Sequence, residues 1–288
     1  MTTTAALVRG MRPRQWVKNL LVLAAPLAAG TLLERSVIGP TLLAFLCFCL
    51  ASGAVYLIND CLDRDSDRLH PRKRLRPVAS GELTRVSASV CAGALATVSL
   101  VVAWLTSRDF AVLLAAYLVI QLAYALWLKH EPVIDLVIVA SGFLLRALAG
   151  GVAVGLPISQ WFLLVSGFGS LFIVAGKRFS EIRSLGSDAG TRRSLIRYTE
   201  SYLRFVWSLA ASATVLSYSL WAFAENVPGG VPWHTISIAP FIVGVLRYAV
   251  DIDAAKAAEP EDIVWGDRVL QVVGLSWLVV VCLGVLRA

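Results

Sequence analysis

Residues 56–67 read Tyr-Leu-Ile-Asn-Asp-Cys-Leu-Asp-Arg-Asp-Ser-Asp, where a long apolar run gives way to charge. Asp60, Asp63, Asp65 and Asp67 all fall within eight residues. At about 100° per residue, a helix carries Asn59, Asp63 and Asp67 in one stripe, sets Asp60 beside it and turns Asp65 away. Like charges on one helical face repel, so such a stripe calls for a cation. Oxygen-only ligands suit a hard ion such as Mg2+, which shares its shell among one or two carboxylates, waters and substrate phosphates. Asn59, Asp60, Asp63 and Asp67 are therefore the candidate metal ligands. A solvated acidic helix end is the plainer explanation. Against it stands the basic run Arg72-Lys73-Arg74-Leu75-Arg76, which follows directly. Cations beside a metal–carboxylate site are what a polyphosphate needs for its remaining charge, and Arg74 and Arg76 are candidate phosphate contacts. Attraction to anionic lipid would explain the basic residues but not the aspartates.

The membrane setting comes from composition. Of 288 residues, 58% are hydrophobic and 16% charged, and mean hydropathy is +0.74. Soluble domains run near 45–50% apolar and about 25% charged, so a soluble globular class is excluded in favour of an integral membrane protein. Five cysteines lack metal-finger spacing and read as small hydrophobes. The amino terminus shows no cleavable signal, and no low-complexity linker divides the chain, which reads as one domain over 1–288.

Apolar runs of about 20 residues predict nine spanning helices, near 17–34, 38–59, 87–106, 110–128, 133–155, 159–176, 203–224, 234–250 and 268–287. With the amino terminus in the cytoplasm, 22 of the 26 basic residues fall on the inner side, as the positive-inside tendency requires. An even helix count breaks that partition. Of the 19 acids, 16 also fall inside, which that tendency does not predict. A transporter is expected to place charge near the midplane and loops at both mouths. A chain polar on one face and mute on the other looks like an enzyme of the plasma membrane, working at its cytoplasmic surface.

Further candidates lie on the same predicted side. Arg12-Pro13-Arg14-Gln15-Trp16-Val17-Lys18-Asn19 is an interfacial anchor by composition, but Lys18 and Asn19 open an apolar run and can face into the bundle. Lys177 and Glu181 are four apart and share a helical face, as do Asn59, Asp63 and Asp67. A simple surface ion pair accounts for that spacing too. Two helix ends charged in this way can face each other across a cavity, with Arg178 alongside and Tyr198 opening the next helix. Arg146 lies within a span among Gly142, Ala149, Gly150 and Gly151, and an intramembrane charge is functional by default. It reads as a substrate-phosphate ligand or a structural partner. The small-residue face 149–155 permits self-association into a homo-oligomer. In the loop from Arg247 to Arg268, Asp251, Asp253 and Asp267 flank spans, and the acids between them read as solvated.

Asn59-Asp60-x-x-Asp63-x-x-x-Asp67 at the end of a second span resembles the UbiA superfamily of membrane prenyltransferases. The resemblance implies an all-α bundle of nine transmembrane helices with a cytoplasmic-side active-site cavity. It further implies an Asn-x3-Asp-x3-Asp motif and a second Asp-x3-Asp motif on the sixth helix, together holding Mg2+ and a diphosphate. Here the second motif is replaced by Lys177-x-x-x-Glu181. Residues 12–19, 56–67, 141–147, 176–179, 201–207 and 259–263 look like the phosphoribosyl-transferring branch of that superfamily, over nearly the whole chain.

That branch implies 5-phosphoribosyl-1-diphosphate as donor, a polyprenyl phosphate as acceptor, Mg2+ as cofactor, and a product that feeds arabinan cell-wall synthesis. Asn59, Asp63, Asp67 and Lys177 are then the expected catalytic residues. Lys18, Asn59, Arg74, Arg76, Arg146, Lys177, Arg178, Glu181 and Tyr198 are the expected substrate contacts. A lysine in place of an aspartate lowers the negative charge of the site, which suits a donor with one phosphate more. Aromatic or haem prenyl transfer within the same superfamily, and a non-catalytic transporter or lipid-binding scaffold, remain the competing readings.

Overall fold

The computed structural model describes residues 3–185, 197–225 and 230–287, and among these every regular element is a helix. Helix α1 (Thr3–Gly10) leads into a 3-10 helix, Pro13–Leu23, which runs on into α2 (Ala24–Ala28). Helix α3 (Arg35–Leu62) is followed at once by α4 (Arg64–Leu69), then a 3-10 turn at Lys73–Leu75 and α5 (Pro77–Ser80). Long helices follow: α6 (Arg85–Thr106), α7 (Arg108–Leu126), α8 (Ile134–Ala153), α9 (Gln160–Leu185), α10 (Glu200–Ala224) and α11 (Trp233–Asp253). Short α12 (Pro260–Gly266) and long α13 (Arg268–Arg287) complete the order.

Eight of these helices, α3, α6 to α11 and α13, are long and apolar enough to cross a membrane among the described residues. Many carry large apolar side chains outward: Leu105 is 79% and Val86 73% exposed, a surface that suits lipid and not water. Polar caps mark their ends. Thr84, Ser107 and Thr199 accept the backbone N–H of Ser87, Phe110 and Tyr202, at 3.1, 3.5 and 3.1 Å. Ser107 also ends α6, its N–H reaching the Ala103 carbonyl at 2.9 Å, so one residue makes the whole turn.

The helices divide between two compact units. The first comprises Met1–Pro26, Thr31–Lys129 and Leu145–Pro157, and the second Leu27–Gly30, His130–Leu144 and Ile158–Ala288. In the first, the Phe48 ring lies 5.0 Å from Tyr117 and 6.4 Å from Phe110, amid Ala44, Ala51, Ala103 and Ala149. In the second, Phe172 and Phe179 pack with Leu203, Tyr248 and Ile252, while Trp207 borders the cluster. All five cysteines are free, and Cys47 and Cys49 are buried.

Four expectations change. The predicted span at 17–34 is a 3-10 helix continued by one α turn. Eleven residues of 3-10 helix exceed the usual three or four, so tertiary contacts must hold it. Helix α9 runs nine residues beyond the predicted end at 176 and carries Lys177, Arg178 and Glu181 within it. The single helix expected to bear Asn59, Asp63 and Asp67 bends at Asp63 (φ −90°, ψ 4°), which separates α3 from α4. Finally, the face 149–155 expected to permit self-association is largely turned into the chain, with Gly155 left exposed. Ala149, Gly150, Gly151 and Ala153 are buried. A Cβ on Gly150 would lie 2.0 Å from the Val22 carbonyl oxygen, so this glycine is spent on seating the 3-10 helix within the chain.

Candidate active site

The end of α3 concentrates negative charge where a helix already presents unpaired carbonyls, so cations are needed there. The first unit supplies three. Arg76 reaches Asp67 at 2.6 Å and Asp60 at 3.3 Å, bridging the two aspartates. Arg12 pairs with the same oxygen of Asp60, and its guanidinium lies 4.8 Å from the centre of the Tyr56 ring. Lys129 holds Asp63 at 2.6 Å. Although the helix bends, hydrogen bonds from the Asp63 N–H to the Asn59 carbonyl (2.9 Å) and from the Asp67 N–H to the Asp63 carbonyl (2.8 Å) preserve the four-residue spacing.

Burial sorts these acids. Asp60 and Asp67 are 1% and 3% exposed. One oxygen of Asp60, Oδ2, is buried with no hydrogen-bond partner among the described residues. Such an atom forfeits its hydration unless something joins it. Asp65 is exposed and pairs with Arg85 at 2.9 Å, on a different side as the helical phase requires. Arg74 is exposed and makes no ion pair among the described residues.

Arg12 has a left-handed backbone (φ 53°, ψ 63°) immediately before Pro13. That conformation costs a non-glycine residue about 1–3 kcal/mol and persists only when its surroundings over-determine it. Here the Asp60 pair and the Tyr56 ring fix the side chain, while Pro13 starts the 3-10 helix.

Deeper in the first unit, Arg146 is 7% exposed. Its Nε donates to Asn19 Oδ1 at 2.8 Å and its Nη2 to the Tyr117 hydroxyl at 2.7 Å. Asn19 in turn donates to Ser52 Oγ at 3.4 Å and Cys49 Sγ at 3.3 Å. This network ties α8, α7 and α3 to the 3-10 helix at Asn19, the residue after Lys18, which bonds Gln15.

The second unit holds the other candidates. Arg178, 3% exposed, forks onto Asp135 through Nε (2.9 Å) and Nη2 (3.0 Å), and its Nη1 reaches Glu181 at 2.7 Å. All three nitrogens therefore have protein acceptors. Lys177 is half-buried between Glu181 at 3.8 Å and Glu259 at 3.4 Å. Glu259, expected to be solvated among the middle acids of its loop, is exposed and in addition faces a lysine of α9. Tyr198 accepts the N–H of Val133 at 2.7 Å and stacks on Tyr202, with ring centres 5.8 Å apart. Burial pushes its phenol up from the ordinary tyrosine range.

Sequence reasoning missed Lys129 and Asp135. Both are charges at the edges of apolar runs, and that position is the one signal available for them. Arg12 was visible only as part of an anchor segment.

Apolar helices in this number, with acids and cations gathered at their ends, define a multi-pass membrane protein of the all-α kind. The chain belongs to the UbiA prenyltransferase family, whose model matches residues 20–266. It is 49% identical over 287 residues to decaprenyl-phosphate phosphoribosyltransferase of Mycolicibacterium smegmatis, covering 95% of this chain and 90% of that one. The protein of the same name from Corynebacterium glutamicum is 44% identical, covering 97% and 86%. Among solved structures, a UbiA homolog from Archaeoglobus fulgidus bound to GPP and Mg2+ superposes with a TM-score of 0.77 at 19% identity, over 98% of this chain and 100% of that one. That likeness establishes the fold.

Proposed function

We propose that the chain transfers a 5-phosphoribosyl group from 5-phosphoribosyl-1-diphosphate to a polyprenyl phosphate, releasing pyrophosphate, and so makes a lipid-linked phosphoribose for arabinan cell-wall synthesis. The observation that carries this reading is the 44–49% identity, nearly end to end, to proteins named decaprenyl-phosphate phosphoribosyltransferase. In this reaction an oxygen of the lipid phosphate bonds to C1 of the ribose as the bond from C1 to the diphosphate breaks. The bonding pair leaves with pyrophosphate. The attacking phosphate is already an anion and needs no strong base, so the protein contributes positioning and electrostatic stabilisation.

Asn59, Asp60, Asp63 and Asp67 would hold Mg2+, which when bound neutralises charge on the departing pyrophosphate. The donor set is all oxygen, and the orphaned Oδ2 of Asp60 is a ready ligand atom. Among the described residues no three acids, histidines or cysteines are grouped as a metal site, and Asp60, Asp63 and Asp67 are paired with Arg12, Lys129 and Arg76. An ion bound here would therefore take one or two of these carboxylates and complete its shell with water and phosphate oxygens. Arg74, Arg76, Lys18 and Lys177 contact substrate phosphates. Arg178 acts through Glu181, which it holds, and Arg146 acts through Asn19 on the helix that bears Lys18. Tyr198 acts through the Val133 backbone, next to Asp135.

The fold is also consistent with a ninth crossing, by residues 13–28, beside the eight long apolar helices, while the cytoplasmic placement of the amino terminus and the polar ends rests on the distribution of basic residues. Arg9 pairs with Glu82 and Arg12 with Asp60, so the start of the chain lies at the far end of α3 from Arg35. The 28 residues of α3 extend about 42 Å at 1.5 Å each. Residues 13–34 must travel that length. At about 2.0 Å per 3-10 residue and 1.5 Å per α residue, Pro13–Ala28 covers roughly 30 Å, the thickness of the hydrocarbon core.

The reading is tested with the purified full chain, Mg2+, radiolabelled phosphoribosyl diphosphate and decaprenyl phosphate. Label should enter the organic phase with one pyrophosphate released per lipid modified. Transfer from a prenyl diphosphate alone would refute it.

A further inference from the structure

We propose that Glu259 is a specificity residue that accepts hydrogen bonds from the vicinal 2- and 3-hydroxyls of the donor ribose, beside Lys177 on the donor's phosphates. The inference rests on the phosphoribosyl reading above. Its starting point is an excess of acid at a place meant for an anion. Lys177 has Glu181 at 3.8 Å and Glu259 at 3.4 Å, and Arg178 has Glu181 and Asp135, so two positive charges face three negative ones. A phosphate-only site gains nothing from two carboxylates against its lysine, because they repel the ligand. A ligand carrying both anionic oxygens and hydroxyl hydrogens makes sense of the pair: the lysine takes the first and a carboxylate takes the second. An acidic side chain on ribose hydroxyls is a recurrent solution to the same problem in nucleotide sites. Prenyl chains carry no hydroxyls, so the feature would also separate the two donor classes.

Of the two acids, Glu181 is committed to Arg178, which holds its Oε2 at 2.7 Å. Glu259 has an Oε1 with no protein partner among the described residues, and its side chain is 55% exposed. Exposure alone would make it an ordinary surface acid, but its loop is built to hold it. Ser180 of α9, fully buried, accepts the Ala257 N–H at 3.2 Å and donates to the Ile252 carbonyl at 3.4 Å. Ala257 is fully buried, and the Lys256 N–H bonds the Asp251 carbonyl at 2.9 Å. Ala255 is forced to φ 57°, a left-handed conformation that an alanine adopts only under constraint. An exposed Lys–Glu pair contributes little to stability and does not call for such a strap. The anchored loop fixes a carboxylate at one turn of α9, and recognition of a rigid diol needs that fixity.

The test compares donors. Phosphoribosyl diphosphate and its 2-deoxy and 3-deoxy analogues are offered to wild type, Glu259→Ala and Glu259→Asp, with melting temperature measured on each. A hydrogen bond to a charged group corresponds to roughly 10–100-fold in discrimination. Wild type should prefer the full donor over at least one deoxy analogue by about that factor. Glu259→Ala should lose the preference chiefly by raising KM for the full donor while leaving KM for that analogue little changed, and Glu259→Asp should restore part of it. If Glu259→Ala slows all three donors equally, or none, Glu259 is only an ion-pair partner and the assignment falls. If wild type transfers phosphoribose without distinguishing the analogues, the assignment falls while the function stands. If wild type transfers no phosphoribose from any donor, both fall.

Discussion

The guanidinium of Arg178 and the carboxylate of Asp135 meet in a two-pronged fork, at 2.9 and 3.0 Å, with both side chains at most 3% exposed. The pair joins α9 to the first turn of α8 inside the second unit. Removing one member leaves an uncompensated buried charge, which costs about 3–5 kcal/mol, whereas replacing both with apolar groups of similar volume is far milder. Asp135→Ala should therefore lower the melting temperature in detergent sharply, and Arg178→Met/Asp135→Leu should recover most of the loss. Equal melting of wild type and Asp135→Ala would show that the fork is structurally idle.

Gly150 lies where the Val22 carbonyl leaves no room for a side chain. The obstacle is backbone, so a neighbouring side chain cannot yield to relieve it. Gly150→Val should destabilise by about 1–3 kcal/mol through overpacking and should loosen the 3-10 helix. Protease nicking within residues 13–23, compared between variant and wild type, is the readout.

The Tyr117 hydroxyl accepts from Arg146 at 2.7 Å. Tyr117→Phe removes this acceptor with little change of shape and should cost about 1.5–3 kcal/mol, since the donor is charged. Arg146→Gln should lower the melting temperature as well. If Arg146 positions Lys18 through Asn19, Arg146→Gln assayed at a fixed margin below its melting temperature should raise KM with kcat little changed, and unchanged kinetics would limit Arg146 to stability.

Asp63 and Asp67 are held by Lys129 and Arg76. Asp63→Asn and Asp67→Asn should each reduce kcat by about 100- to 1,000-fold, the usual effect of deleting one electrostatic contact to a developing charge. Melting temperatures should move little for Asp63, which is partly exposed, and more for buried Asp67. Rescue of Asp63→Asn by raised Mg2+ would tie the loss to the metal. Full activity in both variants would remove the acid stripe from the mechanism.

Much of this was legible in the amino-acid order because membrane helices announce themselves by apolar length. The spans from 38 onward were found within a few residues, apart from the end of α9, and the acids at 59–67 stood out as charge where apolar sequence stops. The 3-10 helix was not legible. Its apolar run looks like any other, and its backbone is decided by Gly150 and Arg146, more than a hundred residues away. The bend at Asp63 was likewise hidden, since four-residue spacing survives it. Periodicity also could not tell that Arg178 and Arg146 are consumed by protein partners, or that Glu259 meets Lys177, because each pairing joins distant parts of the chain.

The central claim is tested most directly by offering both donor classes in one vessel. Purified protein with Mg2+ and decaprenyl phosphate is given equal phosphoribosyl diphosphate and geranylgeranyl diphosphate, and the lipid products are weighed by mass spectrometry. The account predicts that the lipid phosphate gains one phosphoribosyl group while the prenyl diphosphate is untouched. Consumption of the prenyl diphosphate with no phosphoribosylated lipid would contradict it.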